Sequence, residues 1–196
     1  MLWSYYSIIF CVIIKAERTM KLILVILFIV IAVVAYNSFH KPKVQLAIND
    51  KAPDFKIPDA NGKIHQLADY SGQWLVLYFY PKDDTPGCTK EACHFRDDLT
   101  KLETLGAKVV GVSVDDGKSH VTFAKKYNLP FPLLSDKDGL VANQYGALTN
   151  LGFVKIAKRF TFLINPQGLI AKTYFSVDTS RHSQEIIDDL IELKAK

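Results

Sequence analysis

The chain has 196 residues, 49% of them hydrophobic, and a formal net charge of +4. That length suits one domain with an appendage, and the apolar share can build a proper core. Lys15, Arg18, Lys21, Lys41 and Lys43 against Glu17 carry the whole charge excess, leaving residues 44–196 with 19 basic and 19 acidic side chains. No basic stripe is left for nucleic acid, which excludes that partner.

The N-terminus holds two apolar runs. Leu2 to Ile14 is short and interrupted by Ser4, Tyr5, Tyr6 and Ser7, whereas Leu22 to Tyr36 is an unbroken fifteen residues, extendable to Phe39. A membrane span wants ~20 residues, and a signal sequence wants a basic start and ~7–15 apolar residues. The second run fits either, and Val33 and Ala35 offer small residues for cleavage. Met20-Lys21 resembles a natural start, so residues 1–19 are expected to be an upstream extension, the alternative being that both runs are membrane segments. The expectation is therefore an N-terminal extension over 1–43 that directs the domain of 44–196 to or across a membrane, outside the cytoplasm, with a cytoplasmic location as the alternative. Basic residues flank the run on both sides, so the positive-inside rule decides little.

The domain opens with Ala52–Asp59, which alternates polar and apolar residues, the turn Asn61-Gly62, and then Lys63–Leu67. This is a hairpin signal, and His65 reads as a strand-face residue rather than a ligand. Trp74–Tyr80 (Trp-Leu-Val-Leu-Tyr-Phe-Tyr) has the composition of a buried strand. Pro81 ends it, Thr85-Pro86-Gly87 turns, and Ala92, Phe95, Leu99, Leu102 and Leu105 recur at helical spacing. Further along, Lys108–Val114 reads as a strand, Ser119–Tyr127 as a helix and Leu129–Ser135 as an extended segment. Gly139–Tyr145 reads as a short helix and Arg159–Ile164 as a strand. Asn165–Gly168 turns it into Leu169–Phe175, and Ser180–Lys194 closes the chain as an amphipathic helix. Strands alternating with helices predict a sheet covered on both faces.

Cys88 falls where a strand has ended and a helix begins. The first helical turn has unpaired N–H groups and the positive end of the macrodipole, which favour a thiolate. Cys88 is thus placed to act as a nucleophile, the alternative being an inert buried cysteine. Cys93 follows five residues on. A helical pair at that spacing has Cα atoms roughly 8.7 Å apart, beyond the ~7 Å that a disulfide tolerates. An intact helix therefore cannot close the bond. Zinc is disfavoured, because Cys88, Cys93 and His94 lack a second ligand pair at usable spacing. Cys11 lies in the first apolar run and has no evident role.

Pro81-x-x-x-Thr85-x-x-Cys88 resembles the active-site signature of the peroxiredoxins. The longer Thr85-Pro86-Gly87-Cys88-Thr89-x-Glu91-Ala92-Cys93-x-Phe95-Arg96-Asp97 resembles the bacterioferritin comigratory protein, or Q-type, subgroup. The resemblance runs from about Leu46 to the C-terminus. The element order matches an α/β, thioredoxin-like fold with an N-terminal β-hairpin.

The resemblance implies a thiol peroxidase acting on hydrogen peroxide and organic hydroperoxides. Cys88 would be oxidised to a sulfenic acid, resolved by Cys93 and recycled by a thioredoxin-like reductant, in a monomer without cofactor or metal. It implies that Thr85 hydrogen-bonds the nucleophile or peroxide, that Pro81 shields the thiolate, and that Arg159 supplies the cation. Glu91 either orients Arg159 or is an ordinary first-turn acid. The rival is a membrane-anchored thiol–disulfide oxidoreductase of thioredoxin type, which would need Cys-x-x-Cys where this chain has Cys-x-x-x-x-Cys. A copper carrier on this fold would need Cys-x-x-x-Cys.

Overall fold

The computed structural model describes residues 20, 21, 23–34 and 45–195. The chain divides into two units, Met1–Lys43 and Val44–Lys196. In the first, residues 20, 21 and 23–34 are helical. This corrects the expectation of a membrane anchor. Among the described residues no helix is long and apolar enough to cross a membrane, and the described turns fall short of the ~20 residues a span needs. The membrane as a partner, the placement outside the cytoplasm and the anchored-oxidoreductase alternative lose their support with it. The run 2–14, Cys11, Ala35 and residues 40–44 of the linker lie outside the described residues.

The second unit is built on a five-stranded sheet. β3 (Trp74–Phe79) is central. It pairs in parallel with β4 (Ala107–Ser113) and antiparallel with β8 (Phe160–Ile164). β5 (Leu133–Ser135) adds in parallel to β4, and β9 (Ile170–Tyr174) adds antiparallel to β8. A strand buried on both faces must be apolar throughout, which is why Trp74–Tyr80 shows no alternation. Val76, Tyr78 and Tyr80 face a core shared with Phe95, Leu102, Phe123 and Ile186. Leu75, Leu77 and Phe79 face a second core with Phe55, Val141, Tyr145 and Phe162. The sheet is thus covered on both sides, as the alternation of elements predicts.

The helices supply those covers. α1 (Pro86–Asp97) and α2 (Leu99–Thr104) follow β3. The spacing of Ala92 to Leu105 predicts one continuous helix, but the backbone breaks at Asp98, whose carboxylate accepts from Ser183 Oγ at 2.7 Å. α3 (Gly117–Tyr127) starts under the Asp116 side chain, which accepts from the Ser119 N–H, and ends at Asn128 in the left-handed conformation. Both are standard helix boundaries. α4 (Leu140–Gln144) covers the second core and α5 (His182–Lys194) the first.

β1 (Lys56–Pro58) and β2 (Ile64–Gln66) form the expected hairpin across Asn61-Gly62. His65 is buried there: Asp59 Oδ2 accepts from its Nε2 at 3.1 Å, and the Tyr70 hydroxyl lies 2.9 Å from its Nδ1. A second hairpin, β6 (Leu148–Asn150) with β7 (Lys155–Ala157), is absent from the sequence reading. Its strands are three residues each, too short to show a period.

Candidate active site

β3 delivers the chain to Tyr80, which is buried, and Pro81, which is half-buried. Pro81 has no N–H to continue a ladder, so the chain leaves the sheet there. Asp84 takes a positive φ of 56° to make the turn. Thr85 is the N-cap of α1 with extended backbone, and Pro86 occupies the first helical position, where its missing N–H costs nothing. The Thr89 N–H closes the first helical bond onto the Thr85 carbonyl at 2.8 Å. Cys88 therefore sits within the first turn and is 1% exposed.

Across the sheet, Arg159 immediately precedes β8. Its Nη2 donates to Cys88 Sγ at 3.3 Å, and its Nη1 donates to Glu91 Oε2. The register explains the meeting: Phe79 of β3 faces Phe160 of β8, so Arg159 flanks the end of β3 from which the active-site loop departs. Gly87 makes room for it. A Cβ at Gly87 would lie 3.2 Å from Arg159 Nη2, so any side chain there presses on the guanidinium.

One cation thus touches two buried acids. Glu91 is 1% exposed, and its Oε1 has no hydrogen-bond partner among the described residues. Burial pushes its carboxyl up from 4.5 to about 7, against the pull of Arg159. Burial also works against the Arg159 charge, but Glu91 and Cys88 beside it carry the guanidinium above its ordinary pKa. His182 lies close enough to feel the same cation. Burial, and then the Arg159 charge, lower it to about 4, so it stays neutral and bonds Thr161 Oγ1 at 2.8 Å. Tyr78 is pushed well up by burial and by the Glu91 and Cys88 charges, and stays protonated.

The remaining expected residues are placed less directly. The Thr85 hydroxyl donates to the Lys82 carbonyl at 3.0 Å, which leaves its oxygen lone pairs to accept. Cys93 is half-buried on α1, and both Cys88 and Cys93 are free thiols. Arg96 donates to Asp97 and to the Tyr127 carbonyl. Asp97, and the Cys93 sulfur beside it, raise its pKa. Arg96 enters the sequence analysis only as part of the longer motif, with no role attached, and His182 has no signal there beyond its residue type. Asp83, buried within the loop, and His120, buried beside it, are also missed. Among the described residues no group of three or more His, Cys, Asp or Glu side chains could hold a metal ion.

A buried cysteine thus stands at a helix start, bonded by an arginine just ahead of the neighbouring strand. The sequence profile of the AhpC/TSA family matches residues 48–173. Peroxiredoxin Bcp of Bacillus subtilis is 39% identical over 155 residues, 77% of this chain and 99% of that one. The chloroplastic peroxiredoxin Q of Sedum lineare is 41% identical over 168 residues, 81% of this chain and 90% of that one. The chain belongs to the AhpC/TSA family, as a peroxiredoxin of the bacterioferritin comigratory protein or Q type. The crystal structure of peroxidoxin BcpB from Mycobacterium tuberculosis superimposes with a TM-score of 0.73 at 34% identity, over 76% of this chain and 99% of that one. The fold of the second unit is accordingly the thioredoxin-like fold of peroxiredoxins, and the chain is a thiol-dependent peroxidase, an oxidoreductase.

Proposed function

We propose that this peroxiredoxin reduces hydrogen peroxide and organic hydroperoxides with Cys88 as the attacking thiolate, Cys93 as the resolving thiol and a thioredoxin-like protein as the reductant. The observation that carries this reading is the Arg159 contact to Cys88 Sγ at 3.3 Å, made by a guanidinium that also holds Glu91. A cation at that point favours the thiolate. It also faces the place where negative charge develops when an O–O bond breaks.

The Cys88 thiolate attacks one peroxide oxygen, the O–O bond breaks, and the other oxygen leaves as hydroxide or alkoxide and takes a proton. Cys88 becomes a sulfenic acid, oxidised by two electrons. Arg159 stabilises the departing oxygen. The Thr85 oxygen, with lone pairs to spare, accepts from the peroxide O–H, and Pro81 limits water at the sulfur. Cys93 then attacks the Cys88 sulfur. Water leaves and a disulfide forms. Two electrons from the external dithiol return both cysteines to thiols.

Both cysteines lie on α1, and the ~8.7 Å that helical geometry sets between their Cα atoms forbids a bond while the helix is whole. Resolution therefore requires the first turns of α1 to unwind. The test is peroxide consumption with dithiothreitol and with thioredoxin, together with mass spectrometry after one equivalent of peroxide. The expected product is an intramolecular Cys88–Cys93 disulfide. A disulfide between two chains, or a stable sulfenic acid with Cys93 still free, would refute the assignment of Cys93.

A further inference from the structure

We infer that Asp83 and His120 are a positioning pair that holds the active-site loop for peroxide alignment, separately from the groups that make the thiolate. The inference rests on Cys88 being the peroxide-reactive thiol.

The loop from Tyr80 to Thr85 is tied down at consecutive residues. Asp83 lies inside, with its side chain 3% exposed, and His120 of α3 is 0% exposed. Asp83 Oδ1 accepts from the Tyr80 hydroxyl at 2.8 Å, and its Oδ2 lies 2.8 Å from His120 Nδ1. The Asp83 N–H donates to Asp115 Oδ2 at 2.8 Å, and that same oxygen accepts from Ser113 Oγ. Both the backbone and the side chain of Asp83 are therefore fixed to the end of β4 and the start of α3. Asp84, the next residue, is exposed and takes Lys126 Nζ and the Tyr127 hydroxyl from the far end of α3. The Thr85 hydroxyl then binds back to Lys82 within the turn.

The pair is not what the packing alone would select. With Asp83 accepting, Nδ1 carries a proton, and Nε2 is buried with no partner among the described residues. An unpaired buried polar atom costs stability, and an apolar side chain of similar volume in such a place is often neutral or stabilising. What an apolar side chain cannot do is fix the rotation of the Asp83 carboxylate, and through it the path of the loop that carries Pro81 and Thr85 to Cys88. Neither Asp83 nor His120 touches the sulfur. Arg159 and the first turn of α1 act on the thiolate, and the pair acts on what lies over it.

The division predicts a split between two reactions of one thiol. Alkylation by iodoacetamide needs a thiolate and access. Reduction of peroxide also needs the oxygen pair aligned, and misplacement by an ångström costs about a hundredfold. Three variants of the full chain test this. His120→Leu and Asp83→Asn should lower the second-order rate with hydrogen peroxide by about ten- to a hundredfold without slowing Cys88 alkylation. His120→Asn, whose side-chain amide puts a donor where Nδ1 stood, should recover most of the peroxide rate. The inference is overturned if His120→Leu reacts with peroxide like the parent, if peroxide and alkylation rates fall together, or if His120→Asn is no better than His120→Leu. Should His120→Leu fail to fold, Asp83→Asn and His120→Asn decide the matter by the same two rates. A parent protein whose peroxide reaction survives Cys88→Ser would instead refute the proposed function, which keeps the two failures apart.

Discussion

Glu91 offers a stability test of the charge arrangement at the site. Burial raises its carboxyl from 4.5 to about 7, so the folded chain prefers Glu91 protonated. The stability tied to this group is then fully present below pH 4.5 and is lost as pH rises through about 7. The interval corresponds to about 3 kcal/mol at ~1.36 kcal/mol per decade of proton affinity. Glu91→Gln keeps the shape and an oxygen for Arg159 but cannot ionise. The comparison is best made in a Cys88→Ser background, which removes the sulfur that shares the same guanidinium. Urea unfolding of the two proteins from pH 4.5 to 8 is the assay. The Gln variant should gain about 3 kcal/mol relative to its Glu counterpart across that range. Other groups, His182 among them, titrate alike in both and cancel. A difference that stays flat with pH would show that Arg159 fully compensates the buried carboxylate and would refute the reasoning.

Cys88→Ser should abolish peroxide turnover while the far-ultraviolet circular dichroism stays that of the parent; persistent turnover would refute the nucleophile. Arg159→Ala should slow peroxide reduction by about 10²–10³, the usual loss of an oxyanion donor, read by stopped-flow fluorescence. Gly87→Ala puts a methyl 3.2 Å from Arg159 Nη2 and should lower the same rate by about tenfold through displacement of the guanidinium. In the disulfide form, hydrogen exchange should lose protection from Thr89 to Cys93 and keep it at the Asp83 N–H; equal protection of Thr89 to Cys93 in both redox forms would mean that α1 does not unwind.

How much of this could be read from the sequence depends on distance along the chain. β3, the Thr85-Pro86-Gly87 turn and the start of α1 are local, and each residue signals its own place. Cys88 at a helix start follows from them. Arg159 does not. It stands 71 residues from Cys88, beside Lys158, and nothing nearby marks it as turned inward. Only the resemblance to peroxiredoxins singles it out, and only the β3–β8 register accounts for its reach. Asp83 and His120 are harder still. Both are polar residues on a turn and a helix, where solvent is the ordinary expectation, yet each is buried because the other is. The break at Asp98 is hidden for a different reason. The apolar spacing continues across it, so the pattern reads as one helix, and the partner that favours the break, Ser183, lies 85 residues away. The N-terminal run shows the opposite failure. Its composition suits a span, but composition does not set length, and the described helix is too short.

The anchors on either side of the cysteines decide where α1 can open. Upstream, Asp83 and Asp84 are bound to β4 and to both ends of α3. Downstream, Phe95 is fully buried, 4.9 Å from the Tyr78 ring and 5.6 Å from the His182 ring by centroid. Burial of one such ring contributes about 1.5–3 kcal/mol, so opening beyond it costs more than opening before it. The interval left to move is short and contains both cysteines. It also contains Glu91. If Cys93 resolves Cys88 as proposed, the unwinding must draw Glu91 away from Arg159, and a carboxyl that leaves burial ionises readily at neutral pH. The group that resists ionisation in the closed site thus favours the open one as pH rises. On the proposed mechanism the closed helix should be held best when Glu91 is protonated and should open more easily as pH rises through about 7. Faster disulfide formation there would shorten the time in which a sulfenic acid can meet a second peroxide.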